Sequence, residues 1–186
     1  MDKTIRIDEA EDIMRDLLKD KPEKIEHSLK VSDFAYRTAL EIKKIHPELE
    51  INLDKLRIIC LLHDIGQLNE DHIMHSFESR KLLERMGLEM YADSVVRHGD
   101  THELAAHLGM GMDLRPRTIE EKIMVYADSH FKNAECVGPD EKFKRVRKVV
   151  KEKYPDIMEL TESALKRIGE IIAEIDSLKT IGGDSA

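Results

Sequence analysis

The segment RIICLLHDIGQLNEDHIMHS, residues 57–76, decides how this chain folds. Its apolar run IICLL continues a helix that begins near Asn52 or Leu53, with Leu56, Ile59, Cys60 and His63 on one stripe at helical spacing. That stripe ends on a histidine followed by Asp64, so the face that carries the core also carries an imidazole and a carboxylate inward. Gly66 then supplies the helix stop.

Upstream of it, a long helix is predicted from about Glu23 to Ile45, with Pro22 at its start and His46-Pro47 ending it. His27, Val31, Phe34 and Thr38 share one face of this helix, which points a second histidine toward the interior. Before it, IDEAEDIMRDLL at 7–18 reads as a helix with Asp8 as N-cap, paired at Ile13/Leu17 and Met14/Leu18. Downstream, a helix from His75 to Met86 is closed by Gly87, and a shorter one from Glu89 to His98 ends at Gly99.

Residues 99–117, GDTHELAAHLGMGMDLRPR, read as a loop with a helical turn inside, serving as a lid or one rim of a pocket. TIEE at 118–121 is a capping-box pattern that opens a helix through KIMVYADSHF, broken at Val137-Gly138-Pro139. Two charged amphipathic helices follow, about 140–153 and 156–178, in which the sequence shows no chemistry. The last of them fits equally on its own core or on a twofold mate, leaving a homodimer open. The tail TIGGDSA is expected to fray.

These elements describe an all-α protein of about seven or eight helices in a single domain over residues 1–186. At 186 residues it is large enough to bury about two-thirds of its unfolded surface. The absence of Trp and the high charged fraction, 37%, favour long surface helices over a many-stranded sheet. Net charge is −8, with basic residues mixed among acids rather than gathered in a stripe, which argues against a nucleic-acid surface and for a small metabolite. The two cysteines, Cys60 and Cys136, read as buried structural thiols. The N-terminus has no secretory signal pattern and no run is long enough to span a bilayer, so a cytoplasmic protein without a membrane partner is expected.

The inward-pointing polar residues are His27, His63, Asp64, His75, His98 and Asp128. Imidazoles and carboxylates buried together are costly unless a cation offsets their desolvation, and neutral imidazole nitrogen with anionic oxygen is the donor set of divalent metals. The ordered elements EHSLKV around His27, LLHDIG at 61–66, HSFESRKLLERMGL from His75, SVVRHG around His98 and VYADSH around Asp128 resemble the HD superfamily of metal-dependent phosphohydrolases over residues 24–132.

The resemblance implies that His27, His63, Asp64 and Asp128 hold one metal. It further implies that His75 and His98 add a second, with Asp64 bridging the two ions. Iron or manganese is the expected pair, and magnesium, cobalt, nickel and zinc fit the same donors. The implied activity is metal-assisted hydrolysis of a phosphoester or phosphoanhydride in a nucleotide or other small phosphorylated metabolite, with Asp64 and His63 at the catalytic centre. The same ligand order is also used by mixed-valent di-iron oxygenases that cleave a C–C or C–P bond; a third reading, a silent regulatory module, predicts eroded ligands, and none is eroded here.

Members often carry Lys directly after HDIG; here Gln67 stands there and is left to hydrogen-bond substrate or bound water. No GYP element accompanies His98-Gly99, which argues against cyclic-dinucleotide hydrolysis, and GDTH replaces the phrase of the diadenosine tetraphosphate hydrolases. Lys30, one turn after His27, and Arg97, beside His98, are the candidate phosphate-binding cations, with Arg115 and Arg117 on the proposed lid. His72, His102, His107 and His130 have weaker claims as ligands, His46 reads as helix termination, and Met110, Met112 and Met124 read as packing.

Overall fold

The computed structural model describes residues 3–68, 73–99 and 101–180. Among them nine α-helices follow one another: α1 (Ile7–Leu17), α2 (Pro22–Ile45), α3 (Leu53–Leu62), α4 (His75–Arg85), α5 (Glu89–Val95), α6 (Thr101–His107), α7 (Ile119–Asp128), α8 (Pro139–Lys153) and α9 (Met158–Leu178). A small antiparallel hairpin, β1 (Phe131–Lys132) and β2 (Glu135–Cys136), lies between α7 and α8, and a 3-10 turn at Pro155–Ile157 precedes α9. The fold is all-α, with more helices than the seven or eight expected. One of them, α6, fills the segment read as a loop.

The arrangement follows from α3. Leu56, Ile58, Ile59, Cys60, Leu61 and Leu62 are all buried, so this helix has almost no side left for water. It accordingly packs against α1, α2, α5 and α7. Each fully buried leucine or isoleucine here contributes about 1.5–3 kcal/mol over an exposed one. The apolar stripe of α9, with Ile168, Ile171 and Ile175, joins this same core through α7, so the last helix packs on its own chain. Phe77, Val96, Leu104, Ala105 and Leu114 form a second, smaller cluster that seats α6 and the segment after it. No helix of the described residues is long and apolar enough to cross a membrane.

Several local expectations are corrected. Helix α1 starts at Ile7, where the Arg6 amide donates to Glu9 at 2.7 Å, and Asp8 lies in its first turn bonded to the Arg6 guanidinium rather than capping it. Helix α5 ends at Val95, a turn earlier than read. Gly66 does not stop α3, which ends four residues before it, and its φ is not positive. It is glycine because a Cβ would run into the His75 carbonyl and the Ser79 amide of α4. The TIEE reading holds: the Thr118 hydroxyl accepts from the Glu121 amide while the Glu121 carboxylate accepts from the Thr118 amide. Cys60 is buried, whereas Cys136 is exposed on β2. His72, most of the tail from 181 and the first two residues lie outside the described residues.

Candidate metal centre

The turn after α3 sets the site. Leaving a buried helix, the chain must satisfy its free backbone groups within a few residues. Ser79 of α4 does so, donating to the His63 carbonyl at 2.9 Å and accepting from the Gly66 amide at 2.8 Å. This pins α4 to the His63-Asp64 turn at the place where Gly66 allows close approach. Helix α2 brings His27, α7 brings Asp128, α4 opens with His75, and the turn after α5 brings His98.

Imidazole orientation is fixed from behind. The Nδ1 of His27 lies 2.6 Å from the Asn133 carbonyl, that of His63 2.7 Å from the Cys60 carbonyl, and that of His98 2.6 Å from the Val95 carbonyl. A carbonyl can only accept, so each Nδ1 carries the proton and each Nε2 presents a lone pair. Those lone pairs converge. The Nε2 atoms of His27 and His63 are 3.3 Å apart, and those of His75 and His98 are 2.9 Å apart.

Asp64 stands between the two pairs. Its Oδ2 is 3.6 Å from His27 Nε2, and its Oδ1 is 3.5 Å from His63, 3.3 Å from His75 and 3.6 Å from His98. Asp128 Oδ1 closes the first group at 3.2 Å from His27 and 3.9 Å from His63. Donors bound at about 2.1 Å to one ion lie roughly 3.0–3.4 Å apart in octahedral or tetrahedral geometry; the shorter separations here match that and the others exceed it by about 0.1–0.5 Å. Two triads with all atoms mutually close, His27/His63/Asp64 and Asp64/His75/His98, share Asp64 and could each hold a metal.

Burial opposes charge on Asp64, yet His63, His98, His75 and His27 together hold its carboxyl well below the usual range. Burial likewise opposes charge on Asp128, and the Lys142 ammonium and His27 outweigh it to hold that carboxyl well below the usual range. The His63 imidazole is pushed down to about 4 by its complete burial, which keeps it neutral at ordinary pH.

Five of the six candidate ligands line a cavity of about 620 Å³; His63, fully buried, lies beneath it. Gln67 lines it too, and its Oε1 is buried with no hydrogen-bond partner among the described residues. The two cations proposed for phosphate are not brought there. Lys30 is exposed outside the cavity. Arg97 is buried and donates to the carbonyls of Asp113 and Arg115 at 2.8 and 3.0 Å, holding that segment in place. Arg115 is exposed against Asp113, and Arg117 donates to the Asp113 carbonyl.

The proposed lid does not cover the cavity: α6 packs on α9, with Arg167 donating to both carboxylate oxygens of Glu103 at 2.8 Å, and of the described residues in 99–117 only Gly99 lines the cavity. His102 bonds the Leu114 amide, His107 is exposed, and His130 packs against Phe34 and Tyr126.

The cavity's second wall is α8, in which the sequence showed no chemistry. Lys142 sits 3.2 Å from Asp128 Oδ1 and donates to the Phe131 carbonyl at 2.9 Å. Lys24, Lys132 and Arg145 line the same space. Asn133, whose carbonyl orients His27, sits at positive φ (51°) in the hairpin turn. An asparagine just beyond a helix end is the one signal that could have marked that turn. Nothing in the charged pattern of α8 distinguishes Lys142 from its solvated neighbours.

The HD domain family matches residues 25–132, more than half the chain. An uncharacterized protein of Methanocaldococcus jannaschii is 34% identical over 138 residues, covering 72% of this chain and 80% of that one. The tRNA (cytidine(56)-2'-O)-methyltransferase of Picrophilus torridus is 38% identical over 75 residues, which is 38% of this chain and 22% of that enzyme. No solved structure matches.

Proposed function

The chain belongs to the HD-domain family, a family of metal-dependent hydrolases, and on that premise we propose that it hydrolyses a phosphoester or phosphoanhydride of a small phosphorylated metabolite. The observation that carries this reading is the set of Nε2 lone pairs facing one another around Asp64, with their tautomers locked by backbone carbonyls. Lone pairs held about 3 Å apart repel unless a cation stands between them. We propose His27, His63, Asp64 and Asp128 as ligands of one divalent ion and Asp64, His75 and His98 as ligands of a second, iron or manganese.

Ions in such a pair supply a water of lowered pKa and positive charge opposite the phosphoryl oxygens. The chain's own groups do the rest. Lys142, already against Asp128 on the cavity wall, is the cation best placed to hold a phosphoryl oxygen beside the centre. Gln67, with its side-chain oxygen unpaired, accepts a hydrogen bond from an incoming hydroxyl or water. In the reaction, water oxygen bonds to phosphorus, the bond from phosphorus to the leaving oxygen breaks, and a proton passes to that oxygen.

The test is phosphate release by manganese- or iron-loaded protein across nucleotides, dinucleoside polyphosphates and simple phosphoesters, with metal content measured alongside. Release that disappears in Asp64→Ala supports the reading. A loaded protein that consumes O₂ and releases no phosphate from any of them overturns it.

A further inference from the structure

The cavity has two unlike halves. One end is the histidine and aspartate cluster; the other is a wall made by Val146, Val149 and Val150 of α8 with Ala164, Leu165 and Ile168 of α9. Val150, Ala164 and Leu165 are buried, yet they belong to neither apolar cluster of the core. Helix α8 packs chiefly on α9, the 3-10 turn and β1. Phe143 at its start packs against the main core, whereas Val146, Val149 and Val150 line the cavity, and a protein does not keep valines along an open chamber for water. Cations frame this wall: Lys142 at the metal end, with Arg145 and Lys153 along α8.

The hydroxyls nearby are already committed. Thr161 donates to the Ile157 carbonyl at 3.1 Å and Ser129 to the Val125 carbonyl at 2.7 Å, so neither has its proton free to read the edge of a polar ligand. Phe143 and Tyr154 add ring surface to the same side.

We infer that the substrate is a phosphate ester of an apolar alcohol: the phosphate lies between the metal-ligating end and Lys142, and an alkyl, prenyl or aryl body lies against the α8/α9 wall. This rests on the phosphohydrolase reading for the phosphate end and on the wall alone for the body. A sugar or other polyol body would leave its hydroxyls unpaired against valine and leucine, a loss that a hydrocarbon body does not incur.

The test separates the two parts. Calorimetric binding of ethyl-, butyl- and hexylphosphonate to the manganese-loaded protein should tighten about fourfold per methylene until the wall is covered. Inorganic phosphate should displace each of them. In Val149→Asn, a half-buried position on α8, the gain per methylene should shrink. Affinity that does not change with chain length, or ribose 5-phosphate and adenosine monophosphate binding as tightly as hexylphosphonate, overturns the inference, whether or not the variant folds. Phosphate release from the matching alkyl phosphates is read in parallel. A chain-length dependence without any release leaves the apolar body standing and removes the hydrolase reading, and release from polar esters with flat chain-length binding does the reverse.

Discussion

The two sides of the cavity are built on opposite principles. On the α3 side, the backbone carbonyls of Cys60 and Val95 each hold a buried imidazole and Ser79, itself buried, ties down the turn. On the α8 side, lysines and arginines stand in or near solvent and valines face open space. The first side holds its donor atoms through hydrogen bonds to the backbone; the second offers charge and apolar area with fewer such bonds. Coordination needs the former and tolerance for a ligand body needs the latter.

Asp64→Ala should break the contrast outright: on the proposed two-ion reading the bridging carboxylate is lost, so both ions should leave and phosphate release should fall to background. Metal analysis of the purified variant checks this, and a variant that keeps both ions contradicts the sharing. Chelation comes next. Ions that bind only the folded state add about 2.7 kcal/mol at a hundredfold excess over Kd, so stripping them should lower Tm by several degrees, restored by manganese.

Gly66→Ala attacks the rigid side from the backbone. The new methyl meets the His75 carbonyl and the Ser79 amide, and α4 must back away at a cost of about 1–3 kcal/mol, read as a lower Tm together with weaker metal retention. Ser79→Ala removes only the two hydrogen bonds at the same turn and should weaken metal affinity by about tenfold, with KM as the quantity left unchanged.

The soft side should respond more mildly. Lys142→Ala should raise KM for phosphorylated substrates by about tenfold, the worth of one charge-assisted hydrogen bond. Lys30→Ala should leave KM unchanged, and Arg97→Ala should lower Tm without touching KM. Steady-state kinetics beside thermal melts sort the three. A Lys30 variant with the larger KM would reverse the assignment of the cavity's cations.

This division also explains how far the amino-acid sequence could be read. His27 and His63 fall on apolar stripes shared with Val31, Leu56 and Ile59, and periodicity alone turns them inward, with Asp64 following in the turn. Their meeting with His75, His98 and Asp128 is carried by resemblance, and the distances follow from tertiary packing. Gly66 was visible as a glycine but not for its reason, since close approach to α4 is a property of two elements and not of one. Lys142, Asn133 and the valines of α8 escaped because an amphipathic charged helix reads the same whether its apolar stripe meets a core or a chamber. Lys30 and Arg97 stand close in sequence to His27 and His98, and proximity along the chain does not fix which way a cation turns.

The hairpin between α7 and α8 acts as a strut. Its Asn133 oxygen grips the imidazole on α2, its Phe131 oxygen grips the ammonium on α8, and only Val137 and Gly138 separate its second strand from that helix. The orientation of His27 and the seating of α8 therefore share one support, so a substitution that loosens the hairpin should disturb the imidazole and the cavity wall together.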